Sequence, residues 1–181
     1  FRYSVYDSVR DFGDILLIDE PRTYELIENM FSTLAECFTS RKIHIGMDEA
    51  FMVGLGNYRT KHGICDRYDL LVRHLNKVVE IAKKYNFHPM MWSDMFFRMS
   101  NNGEYYVNKT EIPEDVISKI PDVSLVYWDY YHRHKMDYAN MIKAHKQFNK
   151  DIWFAGGAWT WNGFAPSNDI ALKTMKPAMD A

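Results

Sequence analysis

Cysteine is almost missing from this chain, with 2 in 181 residues. Cys37 and Cys65 have neither the close spacing of a metal or redox motif nor the density of a disulfide scaffold, so both read as buried free thiols. No apolar run approaches the roughly 20 residues that span a bilayer, and no basic-then-apolar leader opens the chain. The chain starts at Phe1 rather than Met and reads as a piece of something longer, so the missing leader assigns no compartment. Excess charge is lacking too: 22 Lys and Arg against 24 Asp and Glu leave a formal net charge of -2. Without a large field, neither nucleic acid nor an anionic membrane is expected as a partner. A Gly-rich phosphate turn after the first clear strand is also missing, because GLG at 54–56 sits in a long loop rather than a strand-to-helix turn.

What the chain does have is ordinary core material and a surplus of rings. A hydrophobic content of 47% with 25% charged residues suits one globular domain. Aromatic residues make up 15%, including 5 Trp and 12 Tyr. Part of that surplus fills core. The rest, clustered at strand ends, makes flat walls on which the C–H faces of a sugar can stack.

Hydrophobic periodicity lays out the elements. Residues 1–14 are aromatic-rich and irregular, and 15–18 form a short apolar run. Residues 21–38 read as a helix, with Pro21 in the first turn and Tyr24, Ile27, Phe31, Leu34 and Phe38 on one face. KIHIG, residues 42–46, is a strand, followed by a glycine-punctuated loop at 51–63. Residues 66–85 form a helix with Asp66 as N-cap and Leu71, Leu75, Val78 and Ala82 as its buried stripe. Strands follow at 88–94, 123–131 and 151–159. Helices are expected at 113–120, 134–148 and 168–180, the last containing an awkward Pro177. Trp128, Trp153, Phe154 and the Met/Phe run at 95–99 are expected to pack in the core.

This alternation predicts an α/β fold with parallel strands and helical crossovers. A complete (β/α)8 barrel needs about 250 residues, so four βα units make part of one. With no repeat, linker or charge block, residues 1–181 are expected to be one fragment of a single TIM-barrel domain. All strand C-termini of such a barrel lie on one face. Trp92 and Asp94, Tyr127 and Asp129, and Trp159 and Trp161 are therefore expected to converge on the adjacent acids Asp48 and Glu49.

Adjacent carboxylates at a strand end can hold a divalent metal, act as an acid/base pair, or cap a helix and pair with Lys and Arg. A metal would want several oxygen or imidazole ligands, which His44, Asp48, Asp94 and Asp129 could supply. No HxxxH spacing supports it. Glycoside chemistry fits better, since it needs an acid, a second charge-stabilising group and aromatic walls. Neighbours on one strand point in different directions and suit different roles better than a symmetric nucleophile and acid.

The segment His44-Ile-Gly46-Met-Asp48-Glu49 resembles the His-x-Gly-x-Asp-Glu signature of the glycoside hydrolase family 20 β-N-acetylhexosaminidases. MWSD resembles the family's tryptophan-plus-acid strand end, VYWD its Tyr-x-Asp segment, and GGAWTWNG its tryptophan-bearing strand late in the barrel. The resemblance implies a TIM barrel covered here from about the third helix to the seventh. It also implies exo-acting, retaining hydrolysis of terminal β-linked N-acetylhexosamine, GlcNAc or GalNAc, with the substrate's own 2-acetamido oxygen attacking C1 to give an oxazolinium ion. On that mapping Glu49 protonates the leaving oxygen and later activates water, and Asp48 stabilises the acetamido N–H. Tyr127 binds the acetamido oxygen, with Tyr130 and Tyr131 as competitors, and Asp129 binds a ring hydroxyl. Trp92, Trp159 and Trp161 wall the pocket, and His44 steadies the acids.

The resemblance implies no cofactor and no metal, and names N-acetylhexosamine-terminated glycans as the partner. Self-association of the fragment through its open sheet edges is a further expectation. Three features depart from the family pattern. The usual Gly before the acid pair is Met47, Asn162 stands where many relatives carry Glu, and the family's substrate-binding Arg lies outside this chain. A non-catalytic carbohydrate-binding barrel and a metal-dependent barrel hydrolase or lyase remain as alternatives. Asn108-Lys-Thr110 matches a glycosylation sequon, which has no meaning without a secretory context.

Overall fold

A computed structural model describes residues 3–107 and 109–181. It separates into two compact units, one of Phe1–Met90 with Pro113–Val123, the other of Met91–Ile112 with Ser124–Ala181. Asn108 of the sequon lies outside the described residues.

In the first unit a 3-10 helix, Ser4–Val9, leads into a small antiparallel hairpin of β1 (Arg10–Phe12) and β2 (Ile15–Leu16). The FGD turn is made by Gly13 at φ 54°, a left-handed geometry that glycine adopts without a Cβ penalty. Helix α1 (Pro21–Cys37) starts on its proline and buries Ile27 and Phe31. Strand β3 (Lys42–His44) pairs in parallel with the first half of β4 (His88–Trp92), Ile43 opposite Pro89. Between them come α2 (Asn57–His62) and α3 (Arg67–Lys84), the crossover that parallel strands require. The Asp66 side chain caps α3 by accepting from the Asp69 N–H at 3.0 Å. Leu71, Leu75, Val78 and Ala82 are all buried, so the expected stripe is the face that packs. Ile27 and Phe31 of α1 meet Val78, Ile81 and Ala82 of α3 and Phe87 in one core cluster, with Ile43 and Ile45 against it.

In the second unit the end of β4 lies beside β5 (Ser124–Asp129), the Ser93 N–H donating to Val126 O at 3.1 Å. Strand β5 pairs in parallel with β6 (Ile152–Gly156) from Leu125↔Ile152 to Asp129↔Gly156. The strand order is β3-β4-β5-β6. Helix α4 (Asp94–Ser100) takes up the Met/Phe run and buries Met95, Phe96 and Phe97 fully, as a core assignment requires. A short α5 (Glu114–Ile117) belongs to the first unit. Helix α6 (Lys135–His145) passes into a 3-10 turn, Lys146–Phe148, and ends on Asn149 at φ 49°. Helix α7 (Asn168–Met179) carries Pro177 inside its last turn.

Several expectations change. The strands are shorter than their apolar runs: β3 stops at His44 because Gly46 and Met47 turn left-handed at φ 75° and 76°. The glycine loop at 51–63 contains α2. The cysteines are free but not buried, Cys37 being exposed in the last turn of α1 and Cys65 half-buried beside the Tyr58 hydroxyl. Trp153 is 44% exposed, since alternation along β6 turns it away from half-buried Phe154. Among the described residues no helix is long and apolar enough to cross a membrane.

Candidate active site

The acid pair sits just past the C-terminal end of β3 on a tightly wound segment. Met47 at φ 76° and Glu49 at φ 47° flank Asp48, each a left-handed conformation that costs a residue with a Cβ about 1–2 kcal/mol. Met47 thus holds a backbone geometry that glycine would adopt without a Cβ penalty. Both acidic residues are exposed. They line a cleft of about 570 Å³ whose walls include Leu16 of β2, Ile45, Phe51, and Leu71 and His74 of α3. His44 turns its ring back on the chain, Nδ1 accepting from the Gly46 N–H at 3.1 Å. Partial burial pushes its pKa below the ordinary imidazole value against the pull of the Asp48 charge, so the ring is a neutral acceptor at neutral pH.

The remaining candidate residues belong to the second unit. The Tyr127 hydroxyl donates to Asp129 Oδ2 at 2.7 Å, and both residues are buried. Asp129 also accepts from the Tyr131 and His132 N–H groups at 3.0 and 3.3 Å through Oδ1, while His132 Nδ1 lies 2.7 Å from Oδ2. Burial and the Asp129 carboxylate raise the Tyr127 pKa far above the ordinary phenol range, so its proton stays on. His132 was not among the sequence candidates. The Asp129-Tyr-Tyr-His132 spacing at a strand end was the signal available for it.

A ladder of rings carries the tryptophans. Trp128 stacks on Tyr130 at 5.3 Å, Tyr130 meets Trp161 at 5.1 Å, and Trp161 stacks on Trp159 at 5.3 Å. The Trp159 Nε1–H donates to Tyr130 O at 2.9 Å. Gly157 makes this possible, since a Cβ there would come within 2.6 Å of Trp161 Cη2 and 3.0 Å of Tyr130 Cδ1. Trp161 remains 54% exposed, a flat apolar face open to solvent. Trp92, half-buried, precedes Ser93, whose hydroxyl is 2.7 Å from His145 Nε2 and 3.1 Å from the Tyr105 hydroxyl. Among the described residues no group of three or more His, Cys, Asp or Glu side chains is placed to hold a metal ion.

The sequence pattern of the glycosyl hydrolase family 20 catalytic domain matches residues 3–145, well over half of the chain. The chain belongs to glycosyl hydrolase family 20. Comparison with curated protein sequences finds no match. Among solved structures, a family 20 exo-β-N-acetylglucosaminidase from Vibrio harveyi in complex with N-acetylglucosamine is similar at 15% identity and a TM-score of 0.53, over 87% of this chain and 22% of that one. A β-N-acetylhexosaminidase from Bacteroides fragilis is similar at 15% identity and a TM-score of 0.51, over 83% of this chain and 27% of that one. A family 20 β-N-acetylhexosaminidase from Streptomyces coelicolor matches at 16% identity and a TM-score of 0.44, over 81% and 23%. The chain thus spans about a quarter of the length of these structures.

Family 20 catalytic domains are (β/α)8 barrels, and the four-stranded sheet with its helical crossovers is part of one. His44, Asp48 and Glu49 lie in the first unit. Trp92, Tyr127, Asp129, Trp159 and Trp161 lie in the second.

Proposed function

We propose that this family 20 chain is part of a single barrel domain that removes terminal β-linked N-acetylhexosamine, GlcNAc or GalNAc, from glycans by exo-acting, retaining hydrolysis. The observation that supports the reading best is the exposed Asp48–Glu49 pair at the end of β3, lining a cleft large enough for a sugar ring. The Glu49 carboxylic acid gives its proton to the glycosidic oxygen as the C1–O bond breaks. The 2-acetamido oxygen bonds to C1 in the same step and forms an oxazolinium ion. Asp48 accepts a hydrogen bond from the acetamido N–H as positive charge develops, an interaction stronger in the transition state than before it. Glu49, now ionised, takes a proton from water, which attacks C1 and reopens the ring with retention. No cofactor enters the scheme.

In this reading His44 steadies the acids; the resemblance alone assigns Tyr127 to the acetamido oxygen, Asp129 to a ring hydroxyl, and Trp92, Trp159 and Trp161 to the sugar's apolar faces, and for Tyr127 that role means giving up the hydrogen bond its one hydroxyl proton makes to Asp129. The ligand bound to the Vibrio harveyi protein is a product of this kind. The test is chromophore release from an aryl N-acetyl-β-glucosaminide by the full-length protein. Glu49→Gln is expected to cost about 10²–10⁴-fold in rate. Sugar binding without turnover would favour a carbohydrate-binding barrel, and loss of turnover with chelator a metal-dependent hydrolase.

A further inference from the structure

The segment bearing Asp48 and Glu49 holds two non-glycine residues in left-handed geometry, and such conformations persist only where their surroundings over-determine them. On the upstream side the reason is plain: the Ile45 N–H continues the β3–β4 ladder to Met90 O at 2.8 Å, and Gly46 N–H is held by His44. Downstream the chain leaves regular structure. A run of short backbone bonds, Phe51 N–H to Glu49 O at 2.7 Å and Val53 N–H to Ala50 O at 3.1 Å, stiffens it as far as Gly54. There it meets a buried carboxylate from far away in sequence.

Asp11 is 4% exposed. Its Oδ2 accepts from the Gly54 N–H and its Oδ1 from the Tyr58 N–H, both at 2.7 Å. The pairing of β1 with β2 is irregular between Arg10 and Phe12, so a bulge falls at Asp11; bulges of this kind re-aim a side chain. The neighbouring backbone reinforces the contact, with Asn57 Nδ2 donating to Arg10 O at 2.8 Å. Gly56 packs so closely that a Cβ on it would lie 2.2 Å from the Asp11 carbonyl oxygen.

We infer that Asp11 is a positioning residue for the acid pair: its carboxylate anchors the downstream end of the loop and so holds Glu49 and Asp48 in their working geometry. The inference rests on the glycosidase reading, in which misplacing a proton donor by about 1 Å can cost on the order of 10²-fold in rate.

In the full-length protein, with an aryl N-acetyl-β-glucosaminide, Asp11→Asn is expected to lower kcat by about ten- to a hundredfold while KM changes less than about threefold. Because Asp11 acts through Glu49, adding Asp11→Asn to Glu49→Gln should cost less than about twofold more. A kcat within twofold of the unaltered protein, or independent losses in the double variant, would overturn the inference. Should Asp11→Asn fail to fold by circular dichroism, Gly56→Ala disturbs the same anchor with the carboxylate intact. The same kcat loss at constant KM is expected of it, and an unchanged kcat would overturn the inference. If the unaltered protein shows no turnover, the glycosidase reading fails separately. Hydrogen exchange then decides the anchor in Asp11→Asn or, if that variant does not fold, in Gly56→Ala. Faster exchange at the Gly54 and Tyr58 amides accompanied by loosening at residues 47–49 supports it, and unchanged exchange at 47–49 overturns it.

Discussion

The Tyr127 hydroxyl and the Asp129 carboxylate, two residues apart on β5, are joined by a 2.7 Å hydrogen bond on a buried face of the strand. Alternate strand residues share a face, so the Tyr-x-Asp spacing puts the two side chains side by side on it. Tyr127→Phe leaves Asp129 one donor short in a buried site, and a loss of about 1–3 kcal/mol in stability is expected by denaturant unfolding. If Tyr127 also serves the acetamido oxygen, the same variant loses kcat/KM well beyond what Tyr131→Phe does. Tyr131 is 53% exposed and reaches Asp129 through its backbone N–H, so Tyr131→Phe should leave stability nearly unchanged.

Asp48→Asn tests the division of labour between the adjacent acids. The amide keeps the size of the side chain but loses the charge that, in the proposed mechanism, steadies the developing oxazolinium. A fall of about 10²–10³-fold in kcat with little change in KM is expected from steady-state kinetics on the full-length protein. An unchanged rate would sink the role assigned to Asp48.

Two buried histidines set a pH dependence of folding. His74, with Nδ1 3.1 Å from the Tyr24 hydroxyl, and His145, with Nδ1 2.7 Å from Met141 O, are both pushed down to about 4 by burial. An unfolded histidine titrates near 6.5, so between the two values the unfolded chain binds more protons. The stability contributed by each neutral ring is complete above pH 6.5 and is lost as the pH falls towards 4. It amounts to on the order of 3 kcal/mol per ring. Denaturant midpoints should therefore drop between pH 6.5 and 4, and His145→Gln should flatten part of that slope. A midpoint independent of pH across that window would contradict this.

Much of the secondary structure was legible because it depends on neighbours along the chain. The 3.6-residue stripe of α3 predicted which residues bury, and Asp66 before it could be recognised as a cap by residue type alone. The short α5 fell within the helix expected at 113–120, but two other short helices were not legible. The α2 segment lies within a run punctuated by glycines and has 6 residues, and α4 has 7, so neither is long enough to show the one-sided periodicity of a surface helix. Cys37 and Trp153 were misplaced for the complementary reason: apolar character says that a side chain gains from burial, not that its face of the element meets a partner.

The site divides in the same way. By itself the sequence determined which acids to examine, which strand they follow, and the family to which the chain belongs, because a six-residue signature is local and chemically specific. Tertiary structure alone decided that Met47 and Glu49 take left-handed backbone angles, that His132 joins Tyr127 at the Asp129 carboxylate, that Gly157 makes room for the Trp161 ring, and that Asp11 holds the loop behind Glu49. Contacts such as that between Asp11 and Gly54 close long stretches of chain, and no periodicity or propensity announces them. They exist only once the packed elements have brought the two ends together.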